Sequence, residues 1–119
     1  MKPTKEEISL CKQVAERHRK DIEYGDWFEF KGDILLQKSM HRPEMSDRCT
    51  PLWTISDCLK FLREEGFMVR LIEYEHYRTG IKRIECNCYG HKTKRAFSEQ
   101  GDKDEEAYLK AVLVVLEEK

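Results

Sequence analysis

The C-terminal segment Ala107–Leu116 is apolar on nearly every side. A helix with apolar residues all round is buried on more than one of its sides. Acidic residues crowd the start of this segment, where they stabilise the positive end of a helix macrodipole. Asp102 is the predicted N-cap residue, because a short carboxylate accepts a hydrogen bond from the first helical turn. The sequence therefore predicts a C-terminal helix at the centre of the hydrophobic core.

A chain of 119 residues has the length of one domain, or of two very small ones. Hydrophobic residues make up 39% of the chain and charged residues 38%, which favours a modest core beneath a strongly charged surface. A net charge of −1 excludes a globally basic nucleic-acid binder. We predict a single folded domain over residues 1–119.

The cysteines and the N-terminus indicate the compartment. An odd number of cysteines cannot all pair within one chain. The five are Cys11, Cys49, Cys58, Cys86 and Cys88. The start Met1–Lys5 lacks the apolar core of a signal peptide, and no apolar stretch has the roughly 20 residues of a membrane span. We expect reduced thiols, a cytoplasmic location and no membrane partner.

The first predicted helix covers residues 5–24. Thr4 and Glu7 have the spacing of a capping box at its start, and Gly25 suits a left-handed cap at its end. Its buried side is a narrow stripe with steps of three and four residues. That stripe consists of Ile8, Cys11, Ala15, His18 and Ile22.

A β-hairpin is predicted after this helix. The short apolar runs Trp27–Phe30 and Ile34–Leu36 flank Lys31-Gly32-Asp33, and glycine accepts the positive φ that a tight turn requires. Residues 38–51 lose all periodicity and contain two prolines. This pattern predicts a flexible surface loop.

A second helix is predicted between a cap at Thr54 or Ser56 and Gly66, because apolar residues recur there at helical spacing. A second, longer hairpin follows, with strands over residues 67–77 and 81–89. A two-residue turn at Thr79-Gly80 would place acidic residues opposite inward positions, so we expect a bulge or a longer turn.

A weaker strand is predicted over residues 93–98. The complete order is α-ββ-α-ββ(β)-α, with three helices and two antiparallel hairpins. Helices and hairpins alternate without parallel crossovers, which predicts the α+β class with helices packed on an antiparallel sheet.

Several stretches of the sequence resemble phage proteins. Tyr24–Trp27 with the hairpin after it, and Pro51–Asp57, resemble small phage and prophage hypothetical proteins. Leu59–Phe67, Glu105–Ala107 and Ala111–Leu113 are similar to phage domains described as α-β-α sandwiches. Together they cover most of the chain. The resemblance implies a protein of a bacterial host's cytoplasm and implies no functional residue.

Cys86 and Cys88, with His91 three residues later, form the grouping most similar to metal ligands, since Zn²⁺ binds thiolates and imidazoles. However, structural zinc sites place two to four residues between their cysteines and add a second ligand pair. On a strand both cysteines point to the same, inward side. We interpret them as core thiols. Nucleophile elbows and phosphate-binding glycine loops are also missing, so we predict no metal, cofactor or catalytic residue.

The second hairpin and the segment after it are basic. Residues 70–95 carry seven basic and three acidic side chains, with tyrosines between them. Aromatic rings stack on bases and basic side chains neutralise phosphates, so weak nucleic-acid binding is one hypothesis. Its candidate residues are Arg70, Tyr77, Arg78, Lys82, Arg83, Lys92, Lys94 and Arg95. A solvated charged surface explains the same pattern.

The predicted order α-β-β-β-α in the second half also occurs in double-stranded RNA-binding domains. In those domains the last helix begins with lysines that bind phosphates. Here the corresponding residues are acidic, and they would repel a phosphate backbone. They are Asp102, Asp104, Glu105 and Glu106. We therefore exclude double-stranded RNA binding.

Our main hypothesis is a non-enzymatic domain that binds another protein or a second copy of itself. Trp27 and Trp53 both lie beside predicted turns. We expect them to be core anchors. If both are exposed together they mark an interface, because tryptophan is enriched at interfaces.

Overall fold

The computed structural model contains two compact units, Met1–Leu52 and Trp53–Lys119. The residues that the structure describes are 3–18, 26–36, 49–91 and 95–118. Both units combine helix with antiparallel strands, which confirms the predicted α+β class and the order of the elements. No glycine- or serine-rich linker separates the units, so composition gave no sign of this boundary.

The first unit contains one helix and three strands. They are α1 (Lys5–Arg17), β1 (Trp27–Phe30), β2 (Asp33–Leu36) and β3 (Thr50–Pro51). The strands form an antiparallel sheet in the order β2-β1-β3. Between β1 and β2, Lys31 and Gly32 have φ values of 51° and 88°, as in the two-residue turn that best matches strand twist. The Glu29 carboxylate accepts a hydrogen bond from the Gly32 N–H at 2.8 Å and so stabilises this turn. The first hairpin is confirmed.

Helix α1 is shorter than predicted. His18 has φ −150° and ψ 99°, an extended conformation that ends the helix at Arg17 instead of at residue 24. Residues 19–25 lie outside the described residues. At the other end, the Thr4 hydroxyl accepts a hydrogen bond from the Glu7 N–H at 3.1 Å, which is the predicted N-terminal cap.

The buried side of α1 also differs from the predicted stripe. The buried residues are Leu10, Cys11 and Val14. Of these only Cys11 belongs to the predicted stripe, and His18 is exposed. Leu10 and Val14 are more apolar than Ala15 and His18, and with Cys11 they form a stripe on the neighbouring face of the helix.

Strand β3 corrects part of the predicted loop over residues 38–51. Thr50 and Pro51 pair with Glu29 and Phe28 of β1. Proline lacks an N–H to donate, and it is tolerated here because β3 is an edge strand. Residues 37–48 lie outside the described part of the chain.

The second unit contains two helices and three longer strands. They are α2 (Ile55–Glu64), β4 (Phe67–Glu75), β5 (Lys82–Gly90), β6 (Ala96–Gly101) and α3 (Asp104–Glu117). The strands form an antiparallel sheet in the order β4-β5-β6. The two helices pack against each other, α2 also against β4, and α3 also against β5 and β6.

The register of the second hairpin, which the sequence left open, pairs Glu75 with Lys82. Six residues connect the two strands, so the turn is the longer type that we expected. The His76 N–H donates to the Ile81 carbonyl and the Gly80 N–H donates to the His76 carbonyl, both at 2.9 Å. Gly80 has φ 68°, a conformation that favours glycine at this position.

Strand β6 covers Ala96–Gly101, three residues later than the predicted strand over residues 93–98. It pairs with β5 from Tyr89 opposite Ala96 to Ile84 opposite Gly101. Inward positions on β6 include Phe97, whose ring meets that of Phe67 edge-on at 5.4 Å. This contact lies between residues 30 positions apart, so local sequence did not reveal it.

Helix α3 is the most buried element of the second unit. Nine of its 14 residues are buried, among them Leu109 and Val112. The predicted central position of this helix is therefore confirmed for this unit. Neither α3 nor any other helix in the described part of the chain is long and apolar enough to cross a membrane.

The start of α3 differs from the prediction. Its N-cap residue is Lys103, which makes no side-chain capping hydrogen bond, and not Asp102. The Asp102 carboxylate lies instead 3.3 Å from Nη1 of Arg83. The Asp102 N–H donates to Oε2 of Glu106 at 3.2 Å. The missing cap at Lys103 contrasts with α2, where Thr54 and Asp57 form a complete capping box.

We expect Lys103→Ser to raise the free energy of unfolding by about 1 kcal/mol, because serine supplies the hydrogen bond that lysine does not. We expect Thr54→Ala to lower it by about 1 kcal/mol. Urea denaturation measures both changes, with an unchanged denaturant slope. Lys103→Ala is the matched control, since it removes the lysine without adding a cap. Equal denaturation midpoints for Lys103→Ser and Lys103→Ala would contradict the assignment of residue 103 as the N-cap of α3.

Candidate functional site

The sheet of the second unit has one face that carries exposed apolar residues. Its inner face bears the buried residues Phe67, Cys86 and Cys88. Alternate residues of a strand point to opposite faces, so the outer face bears the even-numbered residues of β4 and β6 and the odd-numbered residues of β5. We call this side the outer face; its side chains form four rows across the strands.

The first row of the outer face is apolar. Pairing places Met68 opposite Tyr89, and Tyr89 opposite Ala96. Met68 is 55% exposed and Tyr89 is 47% exposed. Ala96 is exposed as well. One apolar side chain from each strand therefore lies in solvent at the same level of the sheet, and we call these three residues the apolar row.

The second row is polar and internally bonded. It consists of Arg70, Asn87 and Ser98, one from each strand. The Ser98 hydroxyl donates to Oδ1 of Asn87 at 2.6 Å. Asn87 is buried within the sheet surface, while Arg70 is exposed beside it. The hydrogen bond fixes the Asn87 side chain and satisfies its carbonyl oxygen.

The third row contains Ile72, Glu85 and Gln100. The fourth row, at the opposite end of the face, contains Tyr74 and Arg83. Arg83 forms an ion pair with Asp102, just after β6, at 3.3 Å. Both of these side chains are largely exposed, so the pair contributes little stability. Tyr74 is also partly exposed to solvent.

The composition of the outer face is unusual for so highly charged a chain. Its side chains include methionine, tyrosine and arginine, and none of its strand positions is a lysine. The two arginines, Arg70 and Arg83, are balanced by Glu85 and Asp102. Protein interfaces are enriched in aromatic residues, methionine and arginine and are depleted in lysine. The face therefore resembles a protein interface more than a phosphate-binding surface.

The described candidate nucleic-acid residues are distributed between the outer face, the tip of the β4–β5 hairpin and the segment after β5. Arg70 and Arg83 lie on the outer face, whereas Tyr77, Arg78 and Lys82 lie at the tip of the β4–β5 hairpin. Tyr77 is 83% exposed. The Arg78 guanidinium lies 5.3 Å from the centre of its ring, a cation–π arrangement.

The remaining basic candidates follow β5. Arg95 forms an ion pair with Glu118, and its guanidinium lies 5.9 Å from the ring of Phe97 on the inner side. Lys92 and Lys94 lie outside the described residues. Arg95 is therefore separated from the arginines of the outer face and has its own carboxylate partner.

Cys86 and Cys88 are buried core thiols, as their inward position predicted. Both are 0% exposed, and their sulfur atoms lie 4.0 Å apart. The hydrogen bond to Cys88 and burial together raise the pKa of the Cys86 thiol well above its usual value. The His91 side chain is exposed, and the backbone N–H of His91 donates to the Gly66 carbonyl at 3.0 Å. No cluster of three or more potential metal ligands occurs among the described residues.

The two tryptophans have different environments. Trp53 is 8% exposed and meets Phe61 edge-on at 5.9 Å, as expected of a core anchor. Trp27 is 49% exposed, so the expectation that it is a core anchor is wrong. Because Trp53 is buried, the condition for a shared tryptophan interface, exposure of both residues, is not met.

Sequence reasoning did not identify Met68 and Ala96 as candidate site residues. The sequence groups the tyrosines of the hairpin with their basic neighbours along the chain. The apolar row joins residues of three strands, and it depends on the registers of β4 with β5 and of β5 with β6. The alternation along β4, with Met68, Arg70, Ile72 and Tyr74 on one side, was the available signal.

No family model matches this chain, and no curated protein or solved structure matches it either.

Proposed function

We propose that the chain is a non-enzymatic protein-binding domain and that the outer face of the β4–β6 sheet contacts the partner. The observation that carries this proposal is the exposed apolar row of Met68, Tyr89 and Ala96. Fully burying one large apolar side chain contributes about 1.5–3 kcal/mol, so covering this row with a partner would stabilise a complex.

The polar groups around the apolar row support the same proposal. Asn87 is already hydrogen-bonded to Ser98, so a partner can cover this pair without leaving its oxygen unpaired. Arg70 stands in solvent next to the row. Arginine is common among the residues that dominate binding energy at interfaces.

The alternative function, weak nucleic-acid binding by residues 70–95, has less support. Phosphate binding needs several basic side chains on one surface. Arg70 and Arg83 share the outer face with Glu85 and Asp102. Arg95 already pairs with Glu118. Among the described residues, the hairpin tip combines the most exposed tyrosine, Tyr77, with the nearby basic residues Arg78 and Lys82.

We also propose a phage or prophage origin and a role in the cytoplasm of a bacterial host. This proposal is supported by the resemblance of Tyr24–Trp27 and Pro51–Asp57 to small phage proteins. The cysteine content is consistent with a reducing compartment.

To test the proposed interface, the full chain is immobilised and exposed to a bacterial lysate, and the retained proteins are compared between variants. The double variant Met68→Glu/Tyr89→Ser alters the apolar row. The control Tyr77→Ser alters a tyrosine at the hairpin tip that is more exposed than Tyr89. We expect a protein that binds the wild type and the control, and binds the double variant at least about tenfold more weakly. Circular dichroism checks that the variants are folded.

Two results would contradict the protein-binding proposal. In the first, no retained protein distinguishes the double variant from the control. In the second, the chain binds a single-stranded oligonucleotide with an affinity that falls steeply with salt, and Arg78→Ser/Lys82→Ser removes this binding. The second result would establish the alternative function.

A further inference from the structure

The hydrogen bonds at the two ends of the β4–β5 ladder show which backbone groups of β4 face its open side. The His76 N–H donates to the Ile81 carbonyl, and the His91 N–H donates to the Gly66 carbonyl. In an antiparallel pair, hydrogen-bonded residues alternate with non-bonded ones. The even-numbered residues of β4 therefore bond to β5. The odd-numbered residues direct their N–H and C=O groups to the other side.

The third strand obeys the same alternation. The Gly90 N–H donates to the Arg95 carbonyl at 2.6 Å, so the odd-numbered residues of β6 face β5. The even-numbered Gln100 must then direct its carbonyl away from the sheet. It does so, because that oxygen accepts a hydrogen bond from Nζ of Lys110 at 2.9 Å. A lysine side chain thus covers part of the β6 edge.

The β4 edge is longer, since β4 has nine residues and β6 has six. Strand β4 is the last strand on its side, and within the described part of the second unit no strand pairs with that side. The residues that face it are Phe67, Val69, Leu71, Glu73 and Glu75. The strand contains no proline or glycine to prevent pairing. Such an edge is a template for another extended strand.

We propose that β4 pairs antiparallel with β4 of a second copy of this chain, giving a six-stranded sheet across a two-fold axis. A folded β4 is already extended, so pairing two copies costs less ordering entropy than recruiting a disordered peptide. Self-pairing about a two-fold axis also requires that each side chain of β4 be compatible with the side chain that the second copy places opposite it.

An axis at Leu71 places Leu71 opposite itself, and it places Phe67 and Val69 opposite Glu75 and Glu73. It is the one register that pairs all nine residues of β4 with nine of the second copy. On the outer face it places Met68 opposite Tyr74 of the partner subunit, an apolar–aromatic pair. Axes at Arg70 or Glu73 would place like charges directly opposite, which is destabilising. The Leu71 axis places no like charges opposite each other.

This inference goes beyond the proposed function, because it concerns the edge of β4 and not the outer face. A dimer of this kind would place two outer faces side by side in one sheet. Met68 contributes to both contacts, so the apolar-row variant does not separate the two ideas. Glu73→Pro does separate them, because it alters the β4 edge and leaves Met68, Tyr89 and Ala96 unchanged.

The first test is analytical ultracentrifugation of the full chain at increasing concentration. Glu73→Pro removes an edge-directed N–H, and proline is tolerated on an edge strand where its nitrogen faces outward. Glu73→Gln is the matched control, because it keeps that N–H. We expect the wild type and Glu73→Gln to dimerise, and Glu73→Pro to dimerise at least about tenfold more weakly.

The second test examines the register and does not depend on the folding of the proline variant. In the Leu71-centred pairing, residues 68 and 74 of the two copies form a non-bonded pair with Cα atoms about 4.5 Å apart, within reach of a disulfide. We expect Met68→Cys/Tyr74→Cys to form a covalent dimer on mild oxidation, and either single variant not to. The native cysteines are buried and compete little. A wild type that remains monomeric, a dimer equally stable in both Glu73 variants, or a double variant that does not cross-link would overturn the proposal.

Discussion

Replacing Leu62 by alanine will lower the free energy of unfolding of the second unit by about 2–5 kcal/mol. Leu62 is 0% exposed and lies on the buried side of α2 with Cys58 and Phe61. Helix α2 packs against α3 and β4, so these elements surround the side chain that is removed. The loss combines the transfer free energy of the deleted groups with the cost of the cavity that they leave.

The measurement is urea denaturation followed by tryptophan fluorescence in a Trp27→Phe background. Trp53 is then the only tryptophan, and its ring contacts that of Phe61, which lies in α2 beside Leu62. Leu59→Ala is the control, because Leu59 lies on α2 but is only partly buried. We expect a clearly smaller loss for this variant. Equal losses at the two positions would show that α2 is not packed as described.

Local signals in the sequence were sufficient for several elements. The Lys31-Gly32 turn, the Thr54 cap and the apolar α3 each depend on residues that are neighbours in the chain. The physical causes are also local: a positive φ, a side chain that satisfies an early N–H, and the faces of a single helix. For this reason these elements were predicted at or near their observed bounds.

Features that depend on distant residues were not predictable in the same way. Helix α1 ends at Arg17, although the residues after it continue an apparent helical pattern. The start of β6 depends on pairing with β5, and Asp102 faces Arg83, 19 residues earlier, instead of capping α3. For β6 and Asp102 a tertiary contact outweighs the local preference.

The candidate site likewise combines features that are local in the sequence with features that depend on distant residues. The hairpin tyrosines were visible in the sequence, but their grouping depends on the registers of β4 with β5 and of β5 with β6. A shift of one residue would move Met68 from the outer to the inner face. The six-residue turn decides this register, and it carries no strong turn signal except Gly80. The basic residues lie within one stretch of the sequence, yet the fold places the described ones on the outer face, at the hairpin tip and after β5.

A second large loss of stability is expected on substitution of Gly101, the last residue of β6. A Cβ atom built there lies 2.8 Å from the Ala107 nitrogen and 2.9 Å from the Glu106 Cβ. Both contacts are too short, and they involve the first turn of α3 and not the end of a flexible side chain. Shortening Glu106 to alanine would keep both atoms and so would not relieve the contact. The close approach of β6 to α3 therefore requires glycine.

We expect Gly101→Ala to lower the free energy of unfolding by about 1–3 kcal/mol, the usual cost of inserting an atom into a packed site. The opposite contribution, a gain of about 0.4–1 kcal/mol from a less flexible unfolded chain, is smaller. Thermal and urea denaturation measure the net effect. Gln100→Ala is the neighbouring control, since Gln100 is exposed and its change should stay within about 0.5 kcal/mol. If Gly101→Ala is as stable as this control, the first turn of α3 must be able to move away from β6, and the tight packing of strand against helix is not required for the fold.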